Sequence, residues 1–197
     1  TVQTVGHFPI DLSTTQVDFI TGAAHKFHGP KGVGMLYING KNKIHPLRHG
    51  GGQERNMRAG TENIYGIIGF AKALEIATAH HEKEKEQILG IKKYLKHKLT
   101  AEIPGIVFNG DPDGESLYTV LSAGFPQNDK TEMLLFNLDI RNICASGGSA
   151  CSSGANQGSH VIAALKQEPQ ATIRFSFSKY NKLEEIDTLI SHLKELF

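Results

Sequence analysis

Residues 17–38, VDFITGAAHKFHGPKGVGMLYI, decide how the chain is read. VDFI at 17–20 is an apolar run of strand type, and VGMLYI at 33–38 is another. Between them an irregular loop over residues 22–34 carries Gly22, Gly29, Pro30, Gly32 and Gly34. That much backbone freedom beside two strands predicts that the chain passes close to a neighbour there. The same loop places Lys26 between His25 and Phe27 at the end of the first strand. A lysine so placed suits covalent chemistry with a carbonyl compound, which needs a partly desolvated amine. A basic, solvated surface loop explains the same residues, and both readings stand on composition alone. GPKGVG lacks the GxxxxGK[ST] spacing of a phosphate-binding P-loop, so that reading is set aside.

Downstream, residues 49–63 (HGGGQERNMRAGTEN) form a second glycine-rich stretch, with Thr61 as an expected helix N-cap. Helical spacing then predicts one helix over about 62–80 and a second over about 82–101. The polar run HHEKEKEQ at 80–87 reads as a surface crossing between two bodies, which puts a domain boundary there: residues 1–80, then 81–197. Its histidines have no second ligand pair at metal spacing, and its alternating Glu and Lys suit a solvated helix face. The second part reads as a smaller α/β unit. Its expected strands are at 106–110, 117–125 and 172–178, and its expected helices at 129–140, 159–167 and 182–197. Leu183, Ile186, Leu189, Ile190 and Leu193 share one face of the last helix. The fold class expected is therefore α/β.

With 197 residues, 39% hydrophobic and 21% charged, the composition is that of a globular protein. A net charge of +1 gives no footprint for nucleic acid or an anionic membrane. No apolar run approaches a membrane span. The first residues, TVQTVGHFPI, have no signal-peptide pattern, and the start at Thr1 reads as a beginning inside a longer protein. Two cysteines are too few for a disulfide scaffold, so a reducing cytoplasm is expected. Cys144, in RNICAS, is expected to be a buried small hydrophobe. Cys151 sits in a glycine- and serine-rich loop with polar neighbours, which favours an exposed, reactive thiol. Arg174, between a β-branched residue and an aromatic on a strand, needs an anionic partner; a substrate carboxylate and an internal acid both qualify.

Six stretches occur in order: QTVGHFPID at 3–11, AHKFHGPKGVG at 24–34, HGGGQERxxRAGT at 49–61, SGGSACSSG at 146–154, SHV at 159–161 and IRFS at 173–176. Together they resemble the NifS/IscS-like cysteine desulfurases, which are class V, fold-type I enzymes dependent on pyridoxal 5'-phosphate (PLP). The resemblance implies the end of the PLP-transferase large domain followed by a small α/β domain, the carboxyl-terminal portion of such an enzyme. It implies that Lys26 binds PLP covalently and serves as base at the substrate α-carbon. It places His25 by the cofactor phosphate, Gln3 on the ring hydroxyl, and Thr61 on the phosphate of a neighbouring subunit, hence a homodimer. Arg174 is implied to hold the carboxylate of L-cysteine, and Cys151 to take its sulfur as a persulfide for an iron-sulfur scaffold or other acceptor protein. The chain departs from that pattern at Ala23, where relatives carry a phosphate-binding hydroxyl; Thr21 is the candidate substitute. The family's aspartate for the pyridine nitrogen is expected upstream of Thr1, with an apolar surface where the rest of the protein packs. Two alternatives are a class V aminotransferase or lyase without sulfur transfer, and an inactive fragment acting as an interaction module.

Overall fold

Antiparallel pairing joins β1 (Phe19–Ala23) to β2 (Gly34–Ile38), from Phe19 opposite Ile38 to Ala23 opposite Gly34. The computed structural model describes residues 1–147, 160–165 and 171–197. Contacts divide the chain into two compact units, Thr1–Lys83 and Glu84–Phe197. In the first, Val5, Ile20, Ala24, Phe27 and Ala77 form the buried centre, with Phe70, Ala73 and Leu74 packed on it. The chain does not run as loose loop through residues 22–34. β1 continues to Ala23, a four-residue 3-10 turn follows at Ala24–Phe27, and Val33 O accepts from Ala24 N at 3.2 Å.

The two helices expected over 62–101 are one helix, α1, Ile64–Glu102. The run HHEKEKEQ is polar but contains no glycine or proline, and its Glu, Lys and Gln are strong helix formers. Polarity alone gives a helix no reason to stop. Its N-cap is Asn63 rather than Thr61: Asn63 Oδ1 accepts the Gly66 N–H at 3.1 Å, the bond that satisfies an otherwise unpaired first-turn donor.

In the second unit, β3 (Val107–Phe108), β4 (Val120–Phe125) and β5 (Ala171–Ser176) form an antiparallel sheet in that order. Ile88, Ile91, Leu95 and Leu99 of α1, and Ile103 just beyond its end, recur at three- and four-residue spacing and are all buried. Leu121, Ala123 and Phe125 of β4 and Ile173 and Phe175 of β5 are buried with them. Phe125 stacks on Phe197, with ring centroids 5.3 Å apart. Each such aliphatic or aromatic side chain contributes about 1.5–3 kcal/mol by leaving water. Short helices α2 (Leu134–Asp139) and α3 (His160–Ala164) precede the closing helix α4 (Leu183–Lys194). Ile186, Leu189, Ile190 and Leu193 of α4 are buried, whereas Leu183 at its first position stays exposed, outside the turns that reach the core.

Two carboxylates tie α4 down. Glu102, at the end of α1, accepts from Lys194 Nζ at 2.7 Å, and this bond and charge hold its carboxyl below the ordinary 4.5. Glu185 accepts from Asn181 Nδ2 and from the Lys182 backbone N–H, both at 2.9 Å, and is likewise lowered. A carboxyl lowered in the folded state stabilises above its unfolded pKa, and that contribution disappears as pH falls through the folded value. Thermal unfolding followed from neutral pH downward is therefore expected to hold steady until near 4.5 and to decline below it. Glu102→Gln should flatten part of that decline.

Candidate active site

The site is built on the 3-10 turn after β1. Ala24 and Phe27 are its buried side, and Phe27 meets Phe70 of α1 edge to face at 5.3 Å between centroids. With those two residues turned inward, His25 is left exposed and Lys26 half-buried. His28 closes the turn in the left-handed region, φ 65°, and Gly29 N–H donates to Ala24 O at 2.8 Å. Gly29 is required by space: a Cβ there would stand 2.8 Å from Ala24 Cβ and 3.1 Å from Ala73 Cβ. One turn earlier on α1, Gly69 makes the matching room for Pro30, whose Cγ lies 2.9 Å from where a Cβ would be.

The segment carrying Gln3 folds over this turn. Val5 N and Thr4 N both donate to Thr1 O, Thr1 Oγ1 donates to Thr21 O at 2.6 Å, and Val5 is buried in the same core as Phe27. His7 Nε2 donates to Lys26 O at 3.0 Å. The fold thus brings the Gln3 segment to the Lys26 turn. Thr61 stands exposed after the second glycine-rich stretch, and no hydrogen bond or ion pair joins it to Lys26 or His25. Thr21 lies on the same face of β1 as Ala23.

Among the described residues, the side chains of Gln3, His25, Lys26 and Thr61 make no hydrogen bond or ion pair. Each is a polar group left available for a ligand. The Lys26 side chain ends in an amine able to bond covalently to a carbonyl, and the Gln3 amide, the His25 ring and the Thr61 hydroxyl can donate hydrogen bonds, chemistry that suits an anionic, carbonyl-bearing cofactor such as PLP.

Arg174 belongs to the second unit and is described there. It sits on β5 opposite Ser122, with Ser146 bonded to its other backbone edge at 2.7 and 3.2 Å. Ile173 and Phe175 on either side of it point into the core, so the guanidinium lies on the other face. Its Nε is buried without a hydrogen-bond partner, and among the described residues it makes no ion pair. Cys151 lies outside the described residues. Cys144 is exposed, not a core residue, because it follows α2 in a loop after the left-handed Asn142, beyond the side chains that the sheet buries.

Two features escape the sequence reading. His81 is not on a solvated face: its side chain is 13% exposed and its Nε2 donates to His7 O at 2.6 Å. The contact spans 74 residues, and no local pattern announces it. The seat for the turn on α1 did have a signal, the small residues Gly66, Gly69, Ala73 and Ala77 at helical spacing. Among the described residues no group of three or more His, Cys, Asp or Glu is placed to hold a metal, and no helix is long and apolar enough to cross a membrane.

Residues 1–189 match the aminotransferase class-V family, and the chain belongs to that family, whose members, cysteine desulfurases included, depend on PLP. The cysteine desulfurase IscS of Dictyoglomus turgidum is 39% identical over 198 residues, 99% of this chain and 50% of the relative. A cysteine desulfurase of Klebsiella pneumoniae is 40% identical over 196 residues, 98% of this chain and 48% of the relative. Of solved structures, a NifS-like protein superimposes with a TM-score of 0.86 at 36% identity, covering 100% of this chain and 50% of that one. A NifS-like protein from Rickettsia africae gives 0.84 at 28%, covering 99% and 51%. The α/β fold is thus that of NifS-like, fold-type I PLP enzymes, and the chain spans about half the length of the curated relatives it matches.

The tightness of the turn's seat has a measurable consequence. Gly29→Ala is expected to destabilise the protein by roughly 1–3 kcal/mol in urea unfolding, since the new methyl meets Ala24 and Ala73 in a packed core. Unchanged stability would show that the turn does not depend on this close approach.

Proposed function

We propose that the chain is part of a PLP-dependent cysteine desulfurase, which takes sulfur from L-cysteine and leaves L-alanine and a persulfide on Cys151. The observation that carries the reading is Lys26: half-buried, on a turn pinned from below by Ala24 and Phe27, with its amine unengaged. On this reading residues 1–80 end the large PLP-binding domain and residues 81–197 form the small domain with the Cys151 loop. The protein works in the cytoplasm as a homodimer, Thr61 reaching the cofactor phosphate of the neighbouring copy. The exposed apolar residues around that position support a covering protein surface: Leu47 is 87% exposed, Tyr65 91%, Ile64 60% and Ile68 63%.

PLP, when bound, supplies the electron sink that makes the bonds at the substrate α- and β-carbons breakable. Gln3, His25 and Lys26 would hold it, with Thr61 of the neighbouring copy on its phosphate. Lys26 then moves a proton at the α-carbon. Arg174 takes the substrate carboxylate, in keeping with its unpartnered Nε. The thiolate of Cys151 attacks the substrate sulfur: the carbon–sulfur bond breaks, a sulfur–sulfur bond forms, and the carbon receives a proton to become alanine. No external oxidant or reductant is needed. The persulfide passes to an iron-sulfur scaffold or another acceptor protein.

The test is an absorption titration with PLP, followed by borohydride reduction and mass mapping. The expected result is a band near the violet edge of the visible and a reduced adduct on Lys26, both absent in Lys26→Ala. An adduct on another lysine, or an equal band in Lys26→Ala, would exclude Lys26 as the cofactor residue. With L-cysteine added to the holoenzyme, Cys151→Ser is expected to abolish the persulfide.

A further inference from the structure

A 3-10 turn of four residues cannot satisfy its own carbonyls. Here Ala24 O accepts the N–H groups of His28 and Gly29, while Lys26 O is left to find a donor elsewhere. It finds His7. The His7 ring stands part-buried with Nε2 at 3.0 Å from Lys26 O, and since a carbonyl only accepts, Nε2 carries the proton. The carbonyl of His7 accepts in turn from Nε2 of His81 at 2.6 Å. His81 is on α1, mostly buried, with its other ring nitrogen 3.2 Å from Glu82 Oε1. Two hydrogen bonds in series therefore link the helix, through the 1–8 segment, to the peptide group that follows Lys26.

We propose that His7 is a positioning residue for Lys26, seated by His81. The inference rests on the reading of Lys26 as the cofactor lysine. The orientation of the Lys26–Phe27 peptide plane sets ψ of Lys26, and the Cα–Cβ bond from which four flexible methylenes extend is fixed only if that plane is fixed. Phe27 fixes one end of the plane by its burial. His7 fixes the other through the carbonyl oxygen. The remaining bonds of the 1–8 segment hold the segment itself: Thr1 reaches Thr21 O and Val5 enters the core, so the fold of the segment does not depend on His7. The imidazole's contact is with the one residue whose direction matters for covalent attachment.

The experiment compares wild type, His7→Ala, His7→Gln and His81→Ala in two measurements. Amide hydrogen exchange across residues 24–34, without cofactor, is expected to quicken roughly five- to tenfold in His7→Ala, the equivalent of one lost hydrogen bond. His7→Gln, whose side-chain amide can donate to the same oxygen, is expected to restore most of the protection. His81→Ala keeps the ring but unseats it, and is expected to give a smaller change in the same direction. In the PLP titration, His7→Ala should weaken adduct formation about tenfold while His7→Gln stays near wild type, a rescue that loss of packing alone does not produce. Wild-type exchange in His7→Ala, equal failure of the Gln variant, or equal adduct formation in wild type and His7→Ala would each overturn the proposal. If wild type forms no adduct, the exchange results alone decide whether His7 holds the Lys26 backbone, and the cofactor reading fails separately.

Discussion

The close approach of the 24–30 turn to α1 governs everything in the first unit. It is an exclusion of volume rather than a bond: Gly29 against Ala73, and Pro30 against Gly69, four residues apart on one helix face. Because neither pair leaves room for a further carbon, the turn can sit only at one height above the helix. At that height Phe27 reaches Phe70, Ala24 is fully enclosed, and the two strands close with Gly34 against Gly22. Lys26 gets its position from this arrangement without making a side-chain bond of its own. On the proposed reading Lys26 must keep its amine unengaged, so it cannot be placed by its own contacts, and its neighbours on both sides place it instead.

The second unit uses the same helix differently. Where the first unit needs small residues for close approach, the second buries Ile88, Ile91, Leu95 and Leu99. Between the two sets, the three- and four-residue spacing passes through His81 and Glu84. Each of these polar residues has a partner within its own unit: His7 for His81, and Lys179 Nζ at 2.7 Å for Glu84. Lys92 is the exception inside the core, 3% exposed, and among the described residues its Nζ donates to Ser116 Oγ alone, at 3.4 Å. Burial pushes its ammonium down, and the charges of Asp113 and Asp111 oppose that. Its position resembles that of long basic side chains which bury their stem and lead the charge toward an acidic rim.

What the sequence disclosed follows the range of each interaction. The two strands β1 and β2, strands β4 and β5 and helix α4 are encoded by near neighbours, through alternation, glycine placement and helical spacing, whereas the ordered turn bearing Lys26 reads as an irregular loop because its glycines and proline allow one. The single long helix was hidden because polarity at 80–87 mimics a surface crossing, though nothing there breaks a helix. Asn63 rather than Thr61 caps it because the cap must stand three residues before an unpaired N–H, and both residue types qualify by composition. Leu183 has the right spacing but precedes the buried turns. The roles of His7 and His81 depend on a contact across 74 residues, and so does the exposure of Cys144 depend on where a loop lands. Those facts exist only once the chain is packed.

The sheet of the second unit carries the same division of labour to a single strand. Ile173 and Phe175 of β5 bury one face, and Thr172 and Arg174 occupy the other. Among the described residues, three buried side-chain atoms lack a hydrogen-bond partner: Arg174 Nε, Thr172 Oγ1 and Asn109 Oδ1. They are not scattered. Asn109 donates to Ser122 Oγ at 3.2 Å, Ser122 stands opposite Arg174, and Thr172 is two residues along the same strand. Each such atom costs about 1–3 kcal/mol relative to a satisfied one. A sheet that only had to be stable would replace them with apolar groups at little loss. Among the described residues they gather in the row of Arg174, and two of them, Arg174 Nε and Thr172 Oγ1, are able to donate, so the proposed substrate carboxylate would recover part of that cost, whereas Asn109 Oδ1, an acceptor, needs a donor of its own.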